Sequence, residues 1–124
     1  MIRDLNLLIR KNACVIFIGS LLEKIPHATS LVYDVTKSVL HALSKNIVNE
    51  FNSRIVTVNV VAPQFVKIEW QKTKANEIRN SIYSKTALGK FATVNEVSNV
   101  CIMIIKNNYN DWSILDINVG YDFK

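Results

Sequence analysis

The chain of 124 residues is 49% apolar and 20% charged, the composition of a globular protein rather than a disordered one. Its length predicts one domain with a modest core, and its longest apolar runs, residues 13–18 and 100–105, fall far below the ~20 residues of a membrane span. The formal charge of +5 is uneven: from Lys67 to Lys90 six basic residues meet two acids, Glu69 and Glu77, which reads as a solvated face or an anion-facing patch, while Trp70 and Tyr83 are too sparse for a nucleic-acid stacking platform.

In chain order, residues 1–11 read as the end of a helix, with Leu5, Leu8 and Ile9 on one face and Arg10-Lys11 at its C-terminus. The apolar centre of this segment is too short for a signal peptide, so a cytoplasmic location is expected. Residues 14–18 form a continuous apolar run, as in a parallel strand buried on both faces. A loop over 21–30 carries Pro26 and His27, and Thr29 or Ser30 is placed to cap the next helix. That helix is predicted over 31–51 from the spacing of Val35, Val39, Leu43, Ile47 and Phe51.

Residues 54–62, RIVTVNVVA, are rich in β-branched side chains and stop at Pro63, so they read as a second buried strand. Residues 68–85 are polar and expected to be helical in part. Thr93 with Glu96 three positions on opens a helix from Val94 to about Lys106, and 112–119 is a third strand. Strands separated by helices imply βαβ units and a parallel sheet. Cys14 and Cys101 lack metal-type spacing and read as buried free thiols. His27 and His41 lie too far from any acidic or cysteine cluster to read as metal ligands.

Chemistry concentrates in one stretch. The first strand ends at Gly19-Ser20, Tyr33 follows thirteen residues after the serine, and Lys37 lies four further on. On a helix, Tyr33 and Lys37 share a face one turn apart, so a hydroxyl, a phenol and an ammonium can converge into a proton-transfer site. The same residues fit a structural arrangement, with Tyr33 partly buried, Lys37 snorkelling and Ser20 ending a strand.

Taken with three other motifs, the stretch resembles the C-terminal half of the short-chain dehydrogenase/reductase family. IGS follows a strand, Y-x-x-x-K lies thirteen residues on, and VTVNVVAP closes the next strand. ALGKFATVNEV is similar to the family's P-L-G-R-F-G-x-P-E-E-V segment, and LDINVGY to its V-x-D-G-G ending. Y-x-x-x-K alone is weak; five motifs in order and at family spacing are strong.

The resemblance implies an α/β fold: the C-terminal half of a Rossmann-like doubly wound parallel sheet, about three strands with flanking helices, the N-terminal dinucleotide-binding half missing. Residues 13–62 would be strand, active-site helix and strand, 63–92 cofactor loop and substrate lid, and 93–124 the C-terminal helix and strand. It implies Tyr33 as general acid/base, Lys37 favouring the phenolate by its charge and binding the nicotinamide ribose, and Ser20 polarising the substrate carbonyl. Tyr33, Lys37, Pro63, Gln64 and Val66 would contact NAD or NADP, and no metal is implied. The implied reaction is alcohol oxidation or carbonyl reduction on a small molecule.

Departures accompany the match. The family's glycine-rich phosphate turn has no counterpart, and the chain has only three glycines. Gln64 stands where the family has glycine, Ile68 where it has a cofactor-binding threonine, and Asn118-Val119-Gly120 where it has D-G-G. The chain alone is therefore expected to be inactive. Its first strand is expected to expose an apolar edge, leading to homo-oligomers or to association with a dehydrogenase N-terminal half or full-length relative. A non-enzymatic remnant that binds such a relative through its helix interface is the alternative.

Overall fold

The structure, a computed structural model, describes residues 8–24, 31–68 and 76–121. Three strands, β1 (Cys14–Ile18), β2 (Thr57–Pro63) and β3 (Ile114–Ile117), form a parallel sheet in the order β1-β2-β3. Cys14 pairs with Thr57 and Ile18 with Val61; Val60 pairs with Ile114 and Pro63 with Ile117. Helix α1 (Leu31–Phe51) joins β1 to β2, and α2 (Asn76–Ser84) and α3 (Val94–Lys106) lie between β2 and β3. Among the described residues no helix is long and apolar enough to cross a membrane.

Side chains alternate across a strand, and the two faces of the sheet have different neighbours. Ile47 and Phe51 of α1 bury against Val56 and Val58, with Val15, Phe17, Leu43 and Val48 packed around them. The opposite face, which carries Cys14, Ile16 and Ile18, is flanked by α3, whose buried anchor is Ile104. The expected apolar stripe of α1 therefore divides. Ile47 and Phe51 enter the core, but Val35 and Val39 are exposed, and the buried positions nearer the helix start are Asp34, His41 and Ser44.

Several boundaries differ from the sequence reading, each for a local reason. The helix expected over 1–11 falls outside the described residues up to residue 7, and residues 8–12 form turns. Asn12 adopts a left-handed φ of 62° while its N–H donates to the Arg54 carbonyl. Arg54 belongs to a 3-10 turn (Asn52–Arg54) closed by left-handed Ile55, so β2 starts at Thr57. The expected strand over 112–119 shortens to β3 because Trp112 (φ 46°) and Val119 (φ 48°) are left-handed. β1 is only half-buried, because among the described residues it has no neighbouring strand on one side, and Cys14 and Cys101 are half-buried free thiols rather than buried ones. The caps expected at Thr29 or Ser30, and Pro26, His27 and Trp70, lie outside the described residues.

Two polar devices fix the C-terminal unit. Thr93 and Glu96 form the expected capping box, and the Lys90 ammonium at 2.7 Å, with the Thr93 N–H, holds the Glu96 carboxyl at about 2. Asn59, fully buried in β2, donates to the Asn110 carbonyl and accepts from the Ser113 N–H and the Asn110 amide. These bonds seat the loop that aligns β3, since a buried amide is tolerated only when its donors and acceptors are satisfied.

Val119 is one of the strained positions. A β-branched residue in the left-handed region costs about 1–2 kcal/mol, which glycine avoids. Val119→Gly is expected to raise the unfolding free energy by about 0.5–1 kcal/mol, read as a higher urea midpoint. A lower midpoint would show that the half-buried valine side chain contributes more than its backbone costs.

Candidate active site

The site gathers at the C-terminal ends of β1 and β2. β1 stops at Ile18, and Gly19 lets α1 approach closely. A Cβ at Gly19 would collide with the His41 imidazole and lie 2.8 Å from Val60 Cγ1. Close approach of α1 in turn brings Lys37 to the strand end, where its Nζ donates to the Ile18 carbonyl at 2.7 Å.

Ser20 is 3% exposed and caps a 3-10 turn (Leu21–Glu23), its Oγ accepting from the Leu22 N–H at 3.2 Å. A hydroxyl has one donor and two acceptor sites, so this bond leaves the Ser20 proton to be donated elsewhere. Tyr33, in the first turn of α1, is 48% exposed, with Lys37 Nζ 5.6 Å from its ring centroid. The structure thus brings Lys37 together with Tyr33 and, through Ile18, with the strand end that carries Ser20. A positive charge over a phenol ring, held at the strand end two residues before a buried hydroxyl, is an arrangement able to exchange a proton with a substrate oxygen.

Pro63, Gln64 and Val66 occupy the loop that closes β2. Gln64 N–H donates to the Ile117 carbonyl, and Val66 bridges Ala92, so the loop is tied to β3 and to the segment before α3. Gln64 is not among the left-handed residues, so its backbone has no need of the family's glycine. Its side-chain amide, Oε1 and Nε2, is buried with no partner among the described residues. Pro63 and Val66 line an open apolar groove of about 510 Å³ with Ile18, Val97, Cys101 and Ile102.

Three features of this region were not legible from local sequence pattern. One is the Lys37–Ile18 bond. Another is the orphan amide of Gln64. The third is an aromatic cluster in which Phe91 meets Tyr83 (4.9 Å) and Phe65 (5.9 Å), and Phe65 meets Tyr121 (5.7 Å). That cluster fastens α2, the β2 loop and the chain after β3 to one another. Aromatic residues at four separate positions were the one available signal, with nothing in their spacing to join them.

Comparison with known proteins bears on the family and the fold. A family model described as Enoyl-(Acyl carrier protein) reductase matches residues 1–113. The 3-oxoacyl-[acyl-carrier-protein] reductase FabG of Buchnera aphidicola is 25% identical over 117 residues, covering 93% of this chain and 48% of that protein. For the Escherichia coli FabG the identity is 26% over 113 residues, covering 90% and 46%. The chain therefore spans about half the length of the curated relatives it matches. A short-chain dehydrogenase family protein from Francisella tularensis superimposes with a TM-score of 0.88 at 18% identity, covering 99% of this chain and 56% of that one. A small-chain dehydrogenase solved in complex with NADPH superimposes with a TM-score of 0.81 at 18% identity, covering 94% and 54%.

Proposed function

Since the chain belongs to the short-chain dehydrogenase/reductase family, we propose that it carries the proton-transfer half of an NAD(P)-dependent oxidoreductase site for carbonyl reduction or alcohol oxidation. The observation that carries this reading is Lys37, whose ammonium lies 5.6 Å from the Tyr33 ring and on the carbonyl beside Gly19-Ser20. In this role the Tyr33 hydroxyl donates a proton to the substrate oxygen during reduction and accepts one during oxidation. Lys37 stabilises the phenolate left behind, and the Ser20 proton holds the substrate oxygen.

The residues present fit one end of a nicotinamide cofactor. Tyr33 and Lys37 offer donors for its ribose, and the orphan Gln64 amide, between Pro63 and Val66, offers a donor and an acceptor to a carboxamide. When bound, the cofactor supplies or takes the hydride. The pyrophosphate end finds no glycine-rich turn in these 124 residues. The chain alone therefore lacks the greater part of the contacts that give affinity and is inactive by itself.

The test is a fluorescence titration of NADPH and NADH, with the chain alone and with the N-terminal portion of Escherichia coli FabG that the match leaves uncovered. Saturable binding is expected in the combined sample, at least tenfold weaker for Lys37→Ala. No saturable binding in either sample removes this reading.

One observation favours a second reading, a non-enzymatic remnant that associates with its own kind or a full-length relative. Leu31, Val32, Val35 and Val39 of α1 form an exposed apolar stripe, and such stripes on soluble domains mark interaction surfaces.

A further inference from the structure

Ser20 sits where the sheet stops holding the chain. The Gly19 N–H still donates to the Val61 carbonyl (2.8 Å), and one residue later Ser20 opens the 3-10 turn Leu21–Glu23. Within the turn, Ser20 Oγ accepts from the Leu22 N–H (3.2 Å) and the Lys24 N–H donates to the Leu21 carbonyl (2.9 Å). Both bonds are internal, so they fix the shape of the turn and not its place on the sheet. Leu21, buried at 1% exposure, anchors the turn in depth. Apolar burial is non-directional, however, and leaves the turn free to swing over the strand ends.

One contact supplies the direction. The Lys24 ammonium donates to Asp116 Oδ2 of β3 at 2.5 Å, across 92 positions of sequence. Asp116 is the register partner of Ala62, which follows Val61, the partner of Ile18. The carboxylate therefore stands level with the end of β1 but two strand spacings away, roughly 9–10 Å. A turn that follows β1 is thus tied to the strand on the far side of β2. The next residue of β3 holds the other loop of the site, since the Ile117 carbonyl accepts the Gln64 N–H at 3.1 Å. β3 carries none of the proton-transfer groups, yet both loops are referred to its last two residues.

The Lys24 and Asp116 side chains are 44% and 27% exposed. Solvent screens such a pair, and pairs of this kind bias an equilibrium by about two- to fivefold. That is too little to hold a fold together, and enough to select one orientation of a four-residue turn.

We propose that Lys24 and Asp116 are positioning residues whose ion pair orients the Ser20 turn against β3. The pair thereby sets where the Ser20 hydroxyl meets a substrate oxygen relative to the Gln64 loop. The hydroxyl's role rests on the oxidoreductase reading above, whereas the link itself is a property of this chain.

Hydrogen exchange followed by NMR on the 124-residue chain reads the link directly. Asp116→Asn removes the charge without altering the sequence of the turn. The Leu22 and Lys24 amides are expected to exchange about two- to fivefold faster. The Val60 and Gln64 amides, bonded to the Ser113 and Ile117 carbonyls, are expected to keep their rates, because the β3 backbone stays in place. Asp116→Lys is expected to speed Leu22 further, and adding Lys24→Glu to it restores the pair with its charges exchanged and brings Leu22 back to within about twofold. In the chain assembled with the N-terminal portion of Escherichia coli FabG, Asp116→Asn is expected to lower kcat about two- to fivefold with NADPH affinity unchanged. Unchanged Leu22 exchange in Asp116→Asn, an equal acceleration at Gln64, or an exchanged pair no slower than Asp116→Lys alone overturns the proposal. Faster Leu22 exchange with no turnover from any form of the chain sustains the link and removes the enzyme reading. A lower kcat with unchanged exchange does the reverse.

Discussion

Phe51→Ala is expected to lower the unfolding free energy by about 3–5 kcal/mol, the usual cost of truncating a buried aromatic side chain. Phe51 is 1% exposed at the last turn of α1 and packs with Ile47, Val56 and Val58, the cluster that clamps the helix to the sheet. The rest of that face is held by half-buried residues such as Val15 and Leu43, so little else can close over the cavity. Domains of this size are stable by roughly 5–15 kcal/mol, and one whose described residues form only a three-stranded sheet is expected near the lower end. Urea unfolding followed by circular dichroism should show most of the variant unfolded in little or no denaturant. The contrasting change, Val39→Ala on the same helix, removes an exposed side chain and is expected to stay within about 0.5 kcal/mol. Equal effects from the two substitutions would mean that α1 is seated on a different face.

That contrast also marks the limit of sequence legibility. Apolar periodicity located α1 correctly from Leu31 to Phe51, but α1 has apolar residues around much of its circumference. It buries Asp34, His41 and Ser44 near the site and leaves Val35 and Val39 outside. The reason is nonlocal: the helix is rotated so that Lys37 reaches the end of β1 and His41 packs over Gly19. Strand cores were legible from their β-branched residues, whereas their ends were set by left-handed backbone at Ile55, Trp112 and Val119. No residue preference announces that conformation, because all three side chains disfavour it. The capping box at Thr93 was legible because cap and partner lie three residues apart. The parallel three-stranded sheet followed from alternating strands and helices, and its match to about half of each relative agrees with the half-domain reading. Residue spacing supplied the Tyr33–Lys37 pair, since one helical turn is all that separates them. The bond from Lys37 to Ile18 spans nineteen residues and depends on the packing of α1 against β1.

Tyr33→Phe is expected to reduce kcat by about 10²–10⁴-fold, the range general acid catalysis supplies, in the chain assembled with the N-terminal portion of Escherichia coli FabG. The substitution removes the hydroxyl and keeps the ring, so the Lys37 ammonium retains an aromatic face at 5.6 Å, and the helix start keeps its shape. NADPH affinity should therefore fall by roughly two- to tenfold, because the loss of one neutral hydrogen bond is worth about 0.5–1.5 kcal/mol. Lys37→Ala is expected to differ in kind. In the proposed role it removes a donor to the ribose as well as the charge that stabilises the phenolate, and it releases the Ile18 carbonyl, so binding and turnover are expected to fall together. Ser20→Ala should lower kcat without weakening nucleotide binding, since Ser20 Oγ accepts from the Leu22 N–H and is proposed to hold the substrate oxygen rather than the nucleotide. The assay is NADPH oxidation at 340 nm against a panel of β-keto thioesters, ketones and aldehydes. Retention of a third or more of the turnover by Tyr33→Phe would remove Tyr33 as the proton donor and leave the Tyr33–Lys37 pair a structural contact of α1.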